Sequence, residues 1–312
     1  MRILIVRNNY NPKALEASIL LEAFFDKQNI EYQTYECDDL RPPHVIIDQD
    51  AHDGEPPFDL AVVLGGDGTI LCTAGQIRTQ RIPILGINFG NLGFMANPND
   101  EGVISIVSAA LAGDATCEAR TNLRIEVYCE EDALGTTDQE ESAQHAYPLS
   151  CEPILKESAG TPQQFFALNE MVIARGDQGR MIHFKYRISD SLMADMRSDG
   201  LIVASATGST GYALSAGGPL IDPSYKGLVA VPIAPHTLQS RAVVTGSSDV
   251  VEIDLDTSPA SRAATLFIDG ERIRFDSPIR KVVISTGDEP TLLLRYQAKP
   301  FYQQAADAFF KG

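Results

Sequence analysis

Leu60-Ala61-Val62-Val63-Leu64-Gly65-Gly66-Asp67-Gly68-Thr69 is five apolar residues running into three glycines set around one acid. It reads as a buried strand that turns through a glycine-rich loop into a helix. Upstream, Ile3 to Val6 predicts another apolar strand and Lys13 to Lys27 a helix. Downstream, a helix near Thr69 to Thr79 is followed by a strand at Ile82 to Ile87. Strand and helix in alternation imply a doubly wound, mostly parallel α/β sheet. From about Thr116 the texture changes to period-two strands, as in Arg124 to Tyr128 and Ile182 to Ile188. Further strand-like runs are Val250 to Leu255, Thr265 to Ile268, Lys281 to Ile284 and Thr291 to Arg295. The fold class expected is therefore an α/β N-terminal domain followed by a mainly β, two-sheet C-terminal domain. The first is placed at 1–115 and rejoined by the C-terminal segment 286–312, where Phe301 to Phe310 predicts a short amphipathic helix packing back on it. The second spans 116–285 and carries an acidic, Ser/Thr/Pro-rich insertion at about 130–164.

The 312 residues exceed the usual size of one domain, and 44% hydrophobic with 21% charged residues describes a folded globular chain. A formal net charge of −17 without a run of Lys and Arg argues against nucleic acid and against anionic membrane surfaces. An anionic ligand must then be met by local backbone dipoles. Cys37, Cys72, Cys117, Cys129 and Cys151 are odd in number and form no CxxC pair, which disfavours zinc and a disulfide framework and suits a reducing cytosol. The opening strand is too short for a signal-peptide core, and no apolar run has the length of a membrane span, so a cytoplasmic protein is expected.

The glycines Gly65, Gly66 and Gly68 let backbone amides approach a ligand, and with Thr69 they precede a helix N-terminus that favours phosphate. They lie at the carboxyl end of a parallel strand, the usual ligand edge of such sheets. A carboxylate is awkward beside phosphate unless Asp67 serves a reacting hydroxyl or a magnesium ion. The spacing is neither a Walker A loop nor a GxGxxG fingerprint. Taken alone, the stretch reads equally as a tight turn with Asp67 capping the helix.

A second hydroxyl-rich loop follows a strand at Asp199-Gly200-Leu201-Ile202-Val203-Ala204-Ser205 and runs Ala206-Thr207-Gly208-Ser209-Thr210-Gly211-Tyr212-Ala213-Leu214-Ser215. Its hydroxyls, two close-approach glycines and a helix start near Ser209 suit the oxygens of a nucleotide, though a Ser/Thr cap would explain most of it. Asn169-Glu170 interrupts the apolar run from Phe165 to Ala174. The pair can grip an adenine edge or a ribose diol, or can be a satisfied core pair.

Together these segments resemble the NAD kinase family. Gly65 to Gly68 is similar to its GGDG, Gly86-Ile87-Asn88-Phe89-Gly90-Asn91-Leu92-Gly93-Phe94 to its GxNxGxLGF, and Asn169-Glu170 to its NE pair. Asp199-Gly200 with the Thr207 to Tyr212 stretch is similar to its second signature, and Pro235-His236-Thr237-Leu238 with Arg241 to its PHxLxxR segment. The resemblance implies phosphoryl transfer from ATP or polyphosphate to the adenosine ribose 2′-hydroxyl of NAD. It makes Asp67 the base, Gly65, Gly66, Gly68 and Thr69 the donor-phosphate loop, and Asn169 and Glu170 contacts to the adenosine part. Phe94 would pack near the adenine, and Thr207, Thr210, Gly211, Tyr212 and Ser215 would line the NAD pocket. Asp199 would reach the nicotinamide end, in the family often from a neighbouring subunit, which implies a homodimer or homotetramer. His236 is read as structural. A divalent cation, magnesium, would arrive with the donor phosphates, since no dedicated metal-ligand cluster stands in the sequence. The second signature departs from the family's ATPTGSTAY at Ala206 and Gly211, two changes that loosen the loop without deleting a functional group.

Two rivals are weighed against this. A lipid kinase of the diacylglycerol type shares GGDG but calls for an apolar or basic membrane-facing surface. A catalytically silent NAD(P) sensor would have no need of an acid among phosphate-binding glycines.

Overall fold

β1 (Arg2–Arg7) is buried along its length, and the chain then turns at Asn11, whose Oδ1 accepts from the Lys13 amide at 3.0 Å and caps α1 (Pro12–Gln28). Ala14, Ala17, Leu21 and Phe25 recur on one face of α1 and are buried, while Asn29 ends it in the left-handed region. β2 (Glu31–Glu36), β3 (Leu60–Leu64), α2 (Asp67–Gln76), β4 (Ile84–Ile87), α3 (Val103–Ala112) and β5 (Thr116–Arg120) follow. The structure is a computed structural model and describes residues 1–40, 57–78, 80–91, 93–130, 162–177, 179–237 and 240–310.

The chain divides into two units. One comprises Met1–Arg120, Asp222–Ser224 and Glu289–Gly312, and the other Thr121–Ile221 and Tyr225–Asp288. The second unit contains β6 (Leu123–Cys129), β7 (Gln163–Ala167), β8 (Glu170–Ala174), β9 (Ile182–Ile188), β10 (Ser191–Ser198) and β11 (Gly200–Ala204). After a 3-10 turn at Thr207–Thr210 come α4 (Tyr212–Ser215), β12 (Val229–Ile233), β13 (Val243–Val244), β14 (Val251–Leu255), α5 (Pro259–Arg262), β15 (Thr265–Ile268), β16 (Glu271–Ile273) and β17 (Ile279–Thr286). They form two antiparallel sheets, ordered β10-β9-β14-β17-β6-β7 and β13-β12-β11-β8-β15-β16. Alternate residues such as Ile125, Phe184 and Ile253 from one sheet share a core with Ile173, Leu201 and Leu266 from the other. The opposite face of the β8–β11–β12 sheet is apolar too, and Ala206, Ala213 and Ile221 cover it.

β18 (Thr291–Arg295) and α6 (Phe301–Phe309) return to the first unit. Its sheet is ordered β2-β1-β3-β4-β18-β5, parallel except where β5 runs against β18. The two-part fold class expected from the sequence is the one observed.

Several details differ from the sequence reading. Thr116–Arg120 does not open the β half; it is the edge strand of the first sheet, paired with β18 through Thr116↔Arg295 to Arg120↔Thr291. Its short, largely exposed pattern carries no period that could assign it. Pro83 keeps the Ile82 end out of β4, and α2 starts two residues earlier than expected. The helix expected near Ser209 is the 3-10 turn followed by a single turn of α4. Most of the acidic insertion, 131–161, lies outside the described residues, as do Thr79, Leu92, Leu238 and Cys151.

Candidate functional site

In the first unit the glycine-rich loop ends β3 inside the sheet. The Gly65 amide donates to Ile87 O at 3.0 Å, and Gly66 takes the N-cap position of α2 with no side-chain cap. The first-turn amides of α2 are therefore left without a side-chain acceptor, the arrangement that makes a helix start receptive to an anion. Thr69 is buried, and a Cβ on Gly65 would run into its hydroxyl, so its side chain closes over the loop while Gly68 is exposed.

Asp67 does not cap its own helix. Its Oδ2 accepts from the Phe94 amide at 2.8 Å, and its Oδ1 accepts from the amides of Met95 and Ala96 at 3.2 and 3.3 Å. Three successive amides fix the carboxylate. A Cβ on Gly93 would overlap that carboxylate, so glycine there is a requirement of close approach.

Two residues the sequence reading passed over hold the amide segment from behind. Buried Arg295 donates from Nη1 to the carbonyls of Met95 and Ala96. Asn97 donates at 2.9 Å to both Gly86 O and Leu294 O and accepts from Tyr296 N at 2.9 Å, which staples β4 to β18. Phe94 itself stacks on Phe309 of α6, with ring centroids 5.6 Å apart and planes 12° from parallel, and also touches Phe301.

In the second unit Asp269 plays the mirror role, a carboxylate from below holding three amides above. It accepts from Leu168, Asn169 and Glu170 N at 2.7, 2.8 and 3.1 Å. Asp269 and Gly270 both have positive φ and form the two-residue turn joining β15 to β16. The Asp-Gly dipeptide between strand-like runs is a hairpin signal that could have located this support in the sequence.

The Asn169-Glu170 pair is thus satisfied in its backbone but not in its side chains. Asn169 Oδ1, Glu170 Oε2 and Thr207 Oγ1 are buried with no hydrogen-bond partner. Glu170 is 8% exposed and Thr207 4%. Burial and the nearby Asp269 charge push the Glu170 carboxyl up to about 7, against one bond from the Tyr212 amide that pulls it down. The loop packs tightly: a Cβ on Gly208 would strike Asn169 O, and one on Gly211 would lie 3.0 Å from Glu170 Oε2. The Ala-to-Gly departure at 211 spares that oxygen a tight methyl contact.

Not every hydroxyl of the loop is available. Ser209 Oγ accepts from Ile221 N at 3.0 Å, and Thr210 Oγ1 donates to Thr207 O at 3.1 Å. Tyr212 and Ser215 are exposed. The fold gathers Asn169, Glu170, Thr207 and Gly211, but not Asp199. Asp199 precedes the other end of β11, where Gly200 pairs with Ala174 while Ala204 pairs with Glu170. At ~3.3 Å per residue that places it about 16 Å away along the strand. There it pairs with Arg175 Nε at 3.2 Å. His236 is exposed, and its backbone amide donates to Arg197 O at 2.9 Å.

Family models place the same two halves. The ATP-NAD kinase N-terminal domain matches residues 14–115, and the ATP-NAD kinase C-terminal domain matches residues 168–296. The NAD kinase of Methanospirillum hungatei is 33% identical over 294 residues, covering 94% of each chain. That of Hydrogenovibrio crunogenus is 36% identical over 215 residues, 69% of this chain and 64% of that protein. Among solved structures, a yeast NADH kinase in complex with NADH shares the fold at a TM-score of 0.75 and 19% identity, covering 99% of this chain and 87% of that one. With both domain models matched in order and a relative aligned along nearly its whole length, the chain belongs to the NAD kinase family.

Proposed function

We propose that the chain transfers the terminal phosphoryl group of ATP, or of polyphosphate, to the adenosine ribose 2′-hydroxyl of NAD, giving NADP. The observation that carries this reading is the trio of buried oxygens without partners on Asn169, Glu170 and Thr207. Burying polar atoms unpaired costs about 1–3 kcal/mol each unless a ligand pairs them, and adenosine offers amine and hydroxyl donors of the right kind. Gly211, Tyr212 and Ser215 complete the lining, with Thr210 beside them, and the family resemblance assigns Phe94 to the adenine.

Gly65, Gly66, Gly68 and Thr69 receive the donor phosphates at the uncapped start of α2. Asp67, oriented by three amides, takes the proton of the 2′-hydroxyl as its oxygen bonds to phosphorus and the bond to the leaving ADP breaks. Among the described residues no group of three or more His, Cys, Asp or Glu side chains could hold a metal ion. A magnesium ion would come with the donor phosphates held by Gly65, Gly66, Gly68 and Thr69 and would neutralise their charge. Asp199, far along β11 from the orphan oxygens, suits service to a neighbouring copy, and a homodimer or homotetramer follows from that reading. Among the described residues Cys37, Cys72, Cys117 and Cys129 form no disulfide, which suits a reducing cytoplasm, and no described helix is long and apolar enough to cross a membrane.

A second reading has one observation in its favour. The three amide bonds to Asp67 would equally make it a structural pin in a protein that binds the dinucleotide without phosphorylating it. NADP formation from NAD with magnesium and ATP or polyphosphate, followed with an NADP-specific dehydrogenase, separates the two. Turnover supports the kinase, and tight NAD binding without turnover supports the silent binder.

A further inference from the structure

Within the first unit a cavity of about 300 Å³ opens between the end of β5, the segment Asp222–Ser224, Arg295 and the start of α6. It is at the lower end of the range for small-molecule pockets, ~300–1,000 Å³. Two atoms of its lining residues are buried without a hydrogen-bond partner, Arg295 Nε and Gln304 Nε2, and both are donors. Their residues are 5% and 8% exposed. A ligand that satisfies them must bring acceptors.

The charges point the same way. Arg120, Arg295 and Lys299 line the cavity against the carboxylates of Glu118 and Asp222. Asp222 is already engaged, its Oδ1 accepting from Ser224 N and Oγ at 2.9 and 2.6 Å. Glu118 serves two arginines at once, accepting from Arg120 Nε at 3.1 Å and lying 3.9 Å from Arg295 Nε, beyond hydrogen-bond reach. Two largely buried guanidiniums share the half-exposed Glu118 carboxylate, and Lys299, bonded to Asp307 at 2.7 Å, brings a third cation to the lining beside the two orphan donors. The N-terminus of α6, which no side chain caps, adds the positive end of its dipole.

We propose that this cavity is a binding site for a phosphate-bearing anion, separate from the residues that handle NAD and the donor. Planar guanidinium forks and an amide donor match phosphate oxygens. Occupancy is felt at Asp67, because Arg295 also holds the carbonyls of Met95 and Ala96, whose amides orient that carboxylate.

The test is calorimetric titration of the full chain with inorganic phosphate and, in parallel, with glycerol 3-phosphate, using the native protein, Gln304→Leu and Lys299→Met. Neither substitution touches the Asp67 loop, so both variants should keep native NAD turnover and a near-native melting temperature. The native protein should bind one equivalent, and each variant about 10- to 100-fold more weakly, the loss of one charge-assisted bond. A tighter ester identifies an organic phosphate as the natural occupant, and equal affinities identify the free anion. No saturable binding of either probe, or binding that survives both substitutions and so resides elsewhere, would overturn the proposal.

Discussion

The Phe94 amide donates a 2.8 Å hydrogen bond to Asp67 Oδ2, so the acid at the start of α2 is held by the backbone of the segment that follows β4. Asp67→Asn keeps one accepting oxygen but turns an NH₂ toward an amide N–H. It should lower kcat by about 10² to 10⁴ as the base is lost. It should also cost about 1–3 kcal/mol of stability from the opposed donors. Thermal melts beside steady-state kinetics separate the two effects, and a lowered melting temperature with native kcat would make Asp67 a structural pin only.

Gly93→Ala acts on the same carboxylate without changing its chemistry. The added methyl overlaps Asp67, and backbone or carboxylate must shift. Turnover should fall at least tenfold while NAD affinity, measured by titration, stays near native. Native turnover in this variant would mean that the amide segment tolerates displacement.

Thr207→Val removes a buried hydroxyl that has no partner in the free protein. The isosteric methyl should leave stability unchanged or raise it by about 1 kcal/mol, while NAD binding weakens several-fold. Weaker binding together with a more stable fold is the signature of a group kept for a ligand. A destabilised variant would show instead that the hydroxyl is bonded internally.

Glu170 gives a pH dependence. Its carboxyl is raised to about 7 by burial first and by the Asp269 charge second. A carboxyl raised in the folded state takes up a proton on folding, so its contribution is complete below about 4.5 and is lost as pH rises through about 7. Asp269, pushed by burial up to about 6 against its three amide bonds, has the same sign in a lower window. Between pH 5 and 8 the native protein should lose on the order of 2 kcal/mol more stability than Glu170→Gln, which cannot ionise there. Parallel slopes in denaturant melts across that range would place the Glu170 titration elsewhere.

Sequence reading reached the architecture because its signals are local. The run Leu60 to Leu64 and the alternation in Ile182 to Ile188 each determine an element from a few neighbours. It also singled out Asp67 and the Asn169-Glu170 pair as candidates, since an acid among glycines and polar residues in an apolar run are conspicuous. It could not find Arg295 or Asn97, whose roles are bonds to carbonyls far away in the chain. Nor could it separate Ser209, whose hydroxyl is used on Ile221, from Thr207, whose hydroxyl is not, because both are hydroxyls in one loop. Thr116–Arg120 was misplaced for a related reason: an exposed five-residue strand is defined by its partner, and that partner is β18.

The position of β18 governs how the protein is made. It lies between β4 and β5 in the first sheet, yet the ribosome delivers it only after the entire second unit. A nascent chain bearing β1 to β5 has a gap in its sheet, with β5 lacking its partner β18. The second unit, continuous apart from Asp222–Ser224, can gather its own core first. The sheet that supports Asp67 can therefore be completed only when its last-made strand arrives, a non-local closure of the kind that is slow to form in a growing chain.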